Sequence, residues 1–99
     1  MELHETVALM TSEDYKERFK AEYYQTKIRY EKLKSFNNKI EASRVTLYAT
    51  SEQKKVEMPK HDCPDSLLKE QQRAMGEYLH LLEVRAVIEG IELQAITKG

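Results

Sequence analysis

Few side chains in this 99-residue chain have a type and spacing that could carry chemistry. His61-x-Cys63 sets an imidazole and a thiol two positions apart, just before Pro64. Such a pair could open a metal site, but structural zinc takes four ligands. His4 and His80 have no ligand spacing to the pair, and Cys63 is the single cysteine. No metal site is expected. Cys63 and His80 are also the types of a nucleophile and its base, and a thiol at a helix N-terminus is activated. Without a surrounding motif, however, a lone cysteine reads as an ordinary small residue. Among 17 acidic residues no pair stands out for acid–base work, and no glycine-rich phosphate loop is present. The chain therefore reads as a non-enzyme that needs no cofactor. What remains is Tyr23, Tyr24, Lys27, Arg29, Tyr30 and Lys32, which put aromatics and cations along one stretch. Tyrosine can stack on a base, and lysine or arginine can meet a phosphate. The same spacing equally fits tyrosines in a helix core with solvated lysines between them.

The elements that would position these groups are helical. Three glycines and two prolines in 99 residues, with a third of the chain charged, favour long helices. A chain of this length makes one domain, here residues 1–99, with a modest core. Acids and bases nearly cancel, at a net charge of -1. A non-specific DNA binder carries a basic excess, so DNA is not an expected partner. A single cysteine leaves no intramolecular disulfide and suits a reducing compartment. No apolar run reaches membrane-spanning length, so no membrane is expected. Met1 to Met10 lacks a basic n-region and makes a poor signal peptide. Met10-Thr-Ser-Glu-Asp reads like a natural start, so residues 1–11 are expected to be a poorly ordered lead-in.

The first helix is expected to begin near Thr11 or Ser12, with Glu13 and Asp14 in its first turn. Phe19, Tyr23, Tyr30, Leu33 and Ile40 follow at helical spacing, and the helix should fade at Asn37-Asn38 or a few residues later. Residues 41–62 read as an irregular connector. Within it Val45, Leu47 and Tyr48 alternate with polar residues and suggest an extended piece.

The second helix carries the clearest pattern. Pro64 suits its first position, Gly90 its C-terminal cap, and Gly76 a close approach by a neighbour. One apolar stripe is Leu68, Met75, Tyr78, Leu79, Leu82 and Ala86; a second, spaced by sevens, is Leu67, Ala74, Leu81 and Ile88. Together they exceed the arc that one antiparallel partner buries. The expected fold is all-α: a hairpin of two long antiparallel helices with an irregular connector, assembled as a homo-oligomeric bundle. The alternative cover for the second stripe is the connector or the tail, Ile91, Leu93 and Ile96.

The run Leu67-Leu68-x-x-Gln71-x-x-Ala74-Met75-x-x-Tyr78-x-x-Leu81-Leu82-x-x-Arg85 resembles the signature of a family of small phage and prophage proteins. That family includes the anti-CBASS cyclic-nucleotide sponges. Glu22-x-x-Gln25-x-x-x-Arg29-x-x-Lys32-Leu33-x-x-Phe36 in the first helix adds to the resemblance, which spans most of residues 12–93. It implies a short helical chain that forms hexamers in the cytoplasm of an infected bacterial host. There such a protein would hold cyclic di- or trinucleotide immune signals without cleaving them. By the same resemblance Tyr24 and Lys39 belong to a dinucleotide pocket, supported by Lys27, and Arg73 with Ala74 and Met75 to a trinucleotide pocket. Glu77 departs from that second pattern, because a carboxylate repels phosphate. Pairing with Glu70 or Glu77 is the competing role for Arg73. The competing function is a prophage interaction protein that binds a host protein through its apolar helical surface.

Overall fold

Asp14 starts the long first helix by turning its carboxylate back on the chain, accepting the Lys16 N–H at 2.9 Å. The structure is a computed structural model and describes residues 1–49 and 54–94. Among these residues there are three α-helices and no strand: α1 (Val7–Met10), α2 (Tyr15–Val45) and α3 (Asp65–Glu89). A 3₁₀ turn, Leu3–Thr6, precedes α1. The molecule is a rod of 56 × 24 × 23 Å. None of the described helices is long and apolar enough to cross a membrane.

Three expectations about the first half need correction. Thr11 and Ser12 are not the helix cap; that role falls to Asp14, so acids that read as first-turn residues precede the helix. The helix runs past Asn37-Asn38 to Val45, so the connector begins after residue 45 and not at 41; Asn37 faces α3 and is buried there. Its Nδ2 donates to the Leu68 carbonyl at 3.2 Å and to Gln72 Oε1 at 2.9 Å, so a usual helix breaker becomes an interhelical link. Val45, Leu47 and Tyr48 are not extended: Val45 ends α2, and the chain turns through Thr46. The Thr46 hydroxyl donates to the Ala42 carbonyl at 2.7 Å and accepts the Val56 N–H at 3.0 Å, pinning the connector to the helix end.

The first ten residues also differ from the expected lead-in. Leu3–Met10 is helical and packs on α2. Thr6 is fully buried, and its hydroxyl accepts from Gln25 Nε2 at 2.9 Å. Leu9 packs against the core as well.

α3 follows its pattern closely. The Pro64 carbonyl accepts from Leu67 and Leu68, which makes the proline the cap and Asp65 the first helical residue. Gly90 ends the helix at φ 68°, a left-handed conformation that glycine adopts without strain. The chain then folds back, and Ile91 is buried beside Tyr24. Ile96 lies outside the described residues.

The two long helices are antiparallel. Tyr23 Oη donates to Glu83 Oε2 at 2.6 Å, and Tyr78 Oη donates to Glu22 Oε1 at 2.6 Å, one bond on each edge of the contact. At the far end Arg44 pairs with Asp65. Gly76 does admit a neighbour: a Cβ there would meet Tyr30 Cε1 at 3.3 Å. Phe19, Tyr23, Tyr24, Leu79, Leu82, Ala86 and Ile91 form the core. Tyr78, expected among the core stripe, is 41% exposed and works at the edge through its hydroxyl.

Burial, the bond to Glu83 and that carboxylate's charge all push the Tyr23 phenol well above its ordinary value near 10. The stability linked to its proton is complete below about pH 10 and is lost as pH rises further. Tyr23→Phe should lower stability by about 1–2 kcal/mol at neutral pH. It should also flatten the fall of stability above about pH 10. Urea unfolding followed by circular dichroism at several pH values checks both; an unaltered alkaline profile would contradict this role.

Candidate functional site

The four residues singled out for ligand contact do not converge in one chain. Tyr24 is a core residue, 2% exposed, and its hydroxyl accepts the Gln94 N–H at 2.9 Å. Lys39 is exposed on α2, 15 residues away, which is about 22 Å along a helix. Lys27 is half-buried one turn from Tyr24 and pairs with Glu31 at 3.2 Å. Arg73 lies on the exposed side of α3. Its Nε donates to Glu70 at 3.0 Å, and its Nη1 stands 2.8 Å from Glu77.

The structure instead gathers a different set on one flank of the hairpin. The Lys27 ammonium lies 5.5 Å from the Tyr30 ring centroid, within cation–π range. The same ring covers Gly76. Beside it Gly76, Glu77, His80 and Leu81 line a shallow recess of about 450 Å³. The bond Tyr23–Glu83 on one side and the contact Tyr30–Gly76 on the other bracket Lys27 and His80, so these two stand at the same level of the rod. Arg73 lies one turn before Gly76. The flank therefore combines an aromatic ring, a backbone surface bare of Cβ, an imidazole and two cations, each cation held by a carboxylate.

Tyr30, Gly76 and His80 were legible only in part. Tyr30 belongs to the run of aromatics and cations, and Gly76 was marked as a point of close approach. Gly76 and His80 stand four apart on α3, but nothing in the spacing links Tyr30 to them, because that link crosses from α2 to α3.

A second recess, of about 550 Å³, lies at the far end of α2 between Ser43, Arg44, Leu47 and the connector residues Lys55 to Met58. Arg44 there is engaged by Asp65, whose carboxyl this bond holds below the usual carboxylate range. His61 and Cys63 form a local turn: His61 Nδ1 lies 2.8 Å from the Cys63 carbonyl, and the imidazole meets the Phe36 ring edge-on. Cys63 is exposed. The 17 positions from Cys63 to His80 correspond to about 25 Å along α3, too far for a nucleophile–base pair. Among the described residues no three His, Cys, Asp or Glu side chains gather as metal ligands.

The described residues define a small helical-hairpin protein. The chain belongs to the Sequestin family, whose model matches residues 13–88 and so spans both long helices. This membership agrees with the resemblance to the phage family of anti-CBASS sponges, and the family name is compatible with sequestration. No curated protein and no solved structure is significantly similar to the chain.

The state of Arg73 is testable. The hydrogen bond and charge of Arg73 hold the Glu70 carboxyl below its ordinary range. Arg73→Gln should raise the Glu70 titration midpoint, read by carbon NMR of the side-chain carboxyl. No movement would mean that the pair does not persist in solution. The lowered value implies a small stabilisation above about pH 4 that fades as pH falls through the folded-state value.

Proposed function

We propose that this protein is a phage-encoded sponge: it binds a small nucleotide immune signal, holds it intact and so blinds a CBASS-type defence in the cytoplasm of the infected host. The resemblance points to cyclic di- or trinucleotides as the ligand class and to a hexamer as the binding species. Membership of the Sequestin family across both helices carries this reading. The flank supports it with groups suited to bases and phosphates.

Lys27, Lys39 and Arg73 supply the positive charge. Tyr30, already beside Lys27 and over Gly76, offers an aromatic face for a base. Tyr24 acts from within the core, since its ring is enclosed and its hydroxyl holds residue 94. Arg73 exchanges carboxylates for phosphate when ligand arrives, and Glu70 and Glu77 keep it extended until then. A sponge is stoichiometric, so it lowers free signal only when its sites outnumber the signal and Kd lies well below the signal's working level. Nanomolar to micromolar binding corresponds to about 8–12 kcal/mol.

Isothermal titration with a panel of cyclic di- and trinucleotides, with mononucleotides and nucleoside diphosphates as smaller members, tests the reading. Binding of at least one member, with intact nucleotide recovered after denaturation, is expected. Binding confined to the smaller members would keep sequestration and replace the cyclic ligand class. No heat from any member would remove the sponge reading. The uncovered face of α3 would then favour the second reading, capture of a host protein. Lys27→Ala should weaken binding roughly 10- to 100-fold, the worth of one charge-assisted contact. Tyr30→Leu, which keeps an apolar cover over Gly76, should lose about 1–3 kcal/mol of stacking. Unchanged affinity in both variants would place the ligand elsewhere.

A further inference from the structure

Among the described residues, Glu77 is the carboxylate that borders the recess beside Tyr30, where its neighbours are Gly76, His80 and Leu81. Its ion pair does not account for it. Arg73 is already held by Glu70, which accepts from its Nε at 3.0 Å and from its Nη2 as well. Glu77 adds a single contact, to Nη1 at 2.8 Å. A carboxylate has about four lone-pair sites, so Glu77 keeps acceptor capacity to spare. Other carboxylates of the two long helices are spent on structure: Glu22 on Tyr78, Glu83 on Tyr23, Glu89 on Arg85 and Asp65 on Arg44. The recess is lined by two rows along α3. Gly76 and His80 stand four apart in one row, Glu77 and Leu81 in the other. The Tyr30 ring lies over the first row at Gly76, and the Lys27 ammonium lies 5.5 Å from the centroid of that ring. Lys27 belongs to α2 and Glu77 to α3, with the Tyr30–Gly76 contact between them.

We infer that Glu77 reads the base of the bound nucleotide and selects guanine. The inference rests on the nucleotide reading above and adds which base is held and by which group. An ionised carboxylate offers acceptors and no donor. Guanine presents two adjacent donors on its Watson–Crick edge, N1–H and the N2 amino group, spaced to meet both oxygens of one carboxylate. Adenine and cytosine present one amino group beside a ring nitrogen that carries a lone pair. Uracil presents one N–H between two carbonyls. In each of these the second carboxylate oxygen faces a lone pair and is repelled. A base laid against Tyr30 above the bare backbone of Gly76 brings an edge to Glu77, and Lys27 on the α2 side is left for a phosphate. The charge that would repel a phosphate thus meets the end of the ligand that carries none. Arg73 aims the carboxylate before the ligand arrives and releases it to the base on turning to phosphate. Two parallel hydrogen bonds to one charged group give geometric specificity as well as affinity.

The test titrates the full chain with the guanine, adenine and hypoxanthine forms of one cyclic dinucleotide and of the corresponding mononucleotide. Guanine forms should bind about 5- to 150-fold more tightly than adenine forms, the worth of one bidentate pair to a base edge. Hypoxanthine keeps N1–H and lacks the N2 amino group, so its forms should fall between. A 7-deazaguanine form, which lacks only the N7 acceptor, should bind as guanine does. This ratio supports the inference in either series, and the tighter series names the source of the base. The Glu77 side chain is 69% exposed, so Glu77→Gln leaves the fold intact, which circular dichroism checks. That variant should lose the guanine preference while the adenine forms bind no more weakly than before. Equal affinity for all bases, or a guanine preference that survives Glu77→Gln, would overturn the inference and leave sequestration standing. A preference lost with 7-deazaguanine and kept with hypoxanthine would assign the reading to the other edge of the base and overturn it too. No heat from any form would instead remove the nucleotide reading, and the inference with it.

Discussion

Two tyrosine–carboxylate bonds, running in opposite directions, set the register on which the structure depends. Tyr23 on α2 donates to Glu83 on α3, and Tyr78 on α3 donates to Glu22 on α2. Each fixes one edge of the helix contact. A shift of either helix by one turn would break both and leave the buried Tyr23 phenol without its acceptor. The core between them is small: Phe19, Tyr24, Leu79, Leu82 and Ala86 with Ile91. Such a core favours burial of area but says little about register, because aliphatic groups slide past one another at modest cost. Direction comes from the polar edges. The same register puts Tyr30 over Gly76 and Lys27 level with His80, so the candidate site is a consequence of those two bonds.

The legible and illegible parts of the sequence divide along this line. α3 was read well because its buried side uses leucine and alanine, the residues that periodicity detects. Its terminal glycine and its opening proline marked its ends. α2 was read less well because it buries Tyr23, Tyr24, Asn37 and Ser43, which score as polar or ambiguous. Asn37 looked like a stop and is instead a link to Leu68 and Gln72. The lead-in is under-read for a related reason: its most buried side chain is the polar Thr6, with Leu9 only half-buried against the core. The recess lining, Gly76, Glu77, His80 and Leu81, lies on α3 alone at neighbouring helical positions; what the spacing does not carry is the Tyr30 ring that α2 sets against Gly76. The resemblance in the α3 motif, in contrast, led to the correct family.

The polar members of that motif acquire distinct positions in the structure. Gln71, Tyr78 and Arg85 do not interrupt the face buried against α2; they stand on the neighbouring face, one in each turn pair. Tyr78 and Arg85 are each tied to α2, through Glu22 and Tyr15. They therefore tie the exposed face of α3 to the hairpin contact.

Size gives a final constraint on what one chain can do. Small-molecule sites commonly bury 70–90% of their ligand in pockets of about 300–1,000 Å³. The recess beside Tyr30 has volume within that range, about 450 Å³, yet it is shallow and sits on the side of a rod only 24 × 23 Å across. Two packed helices, each about 10 Å wide, have no depth left to surround a nucleotide. The cations there are also solvated and bound to carboxylates, so phosphate gains little by replacing those partners in open water. Charge–charge contacts strengthen as the local dielectric falls. The single hairpin therefore offers a ligand one open side, and the recess beside Tyr30 does not enclose it.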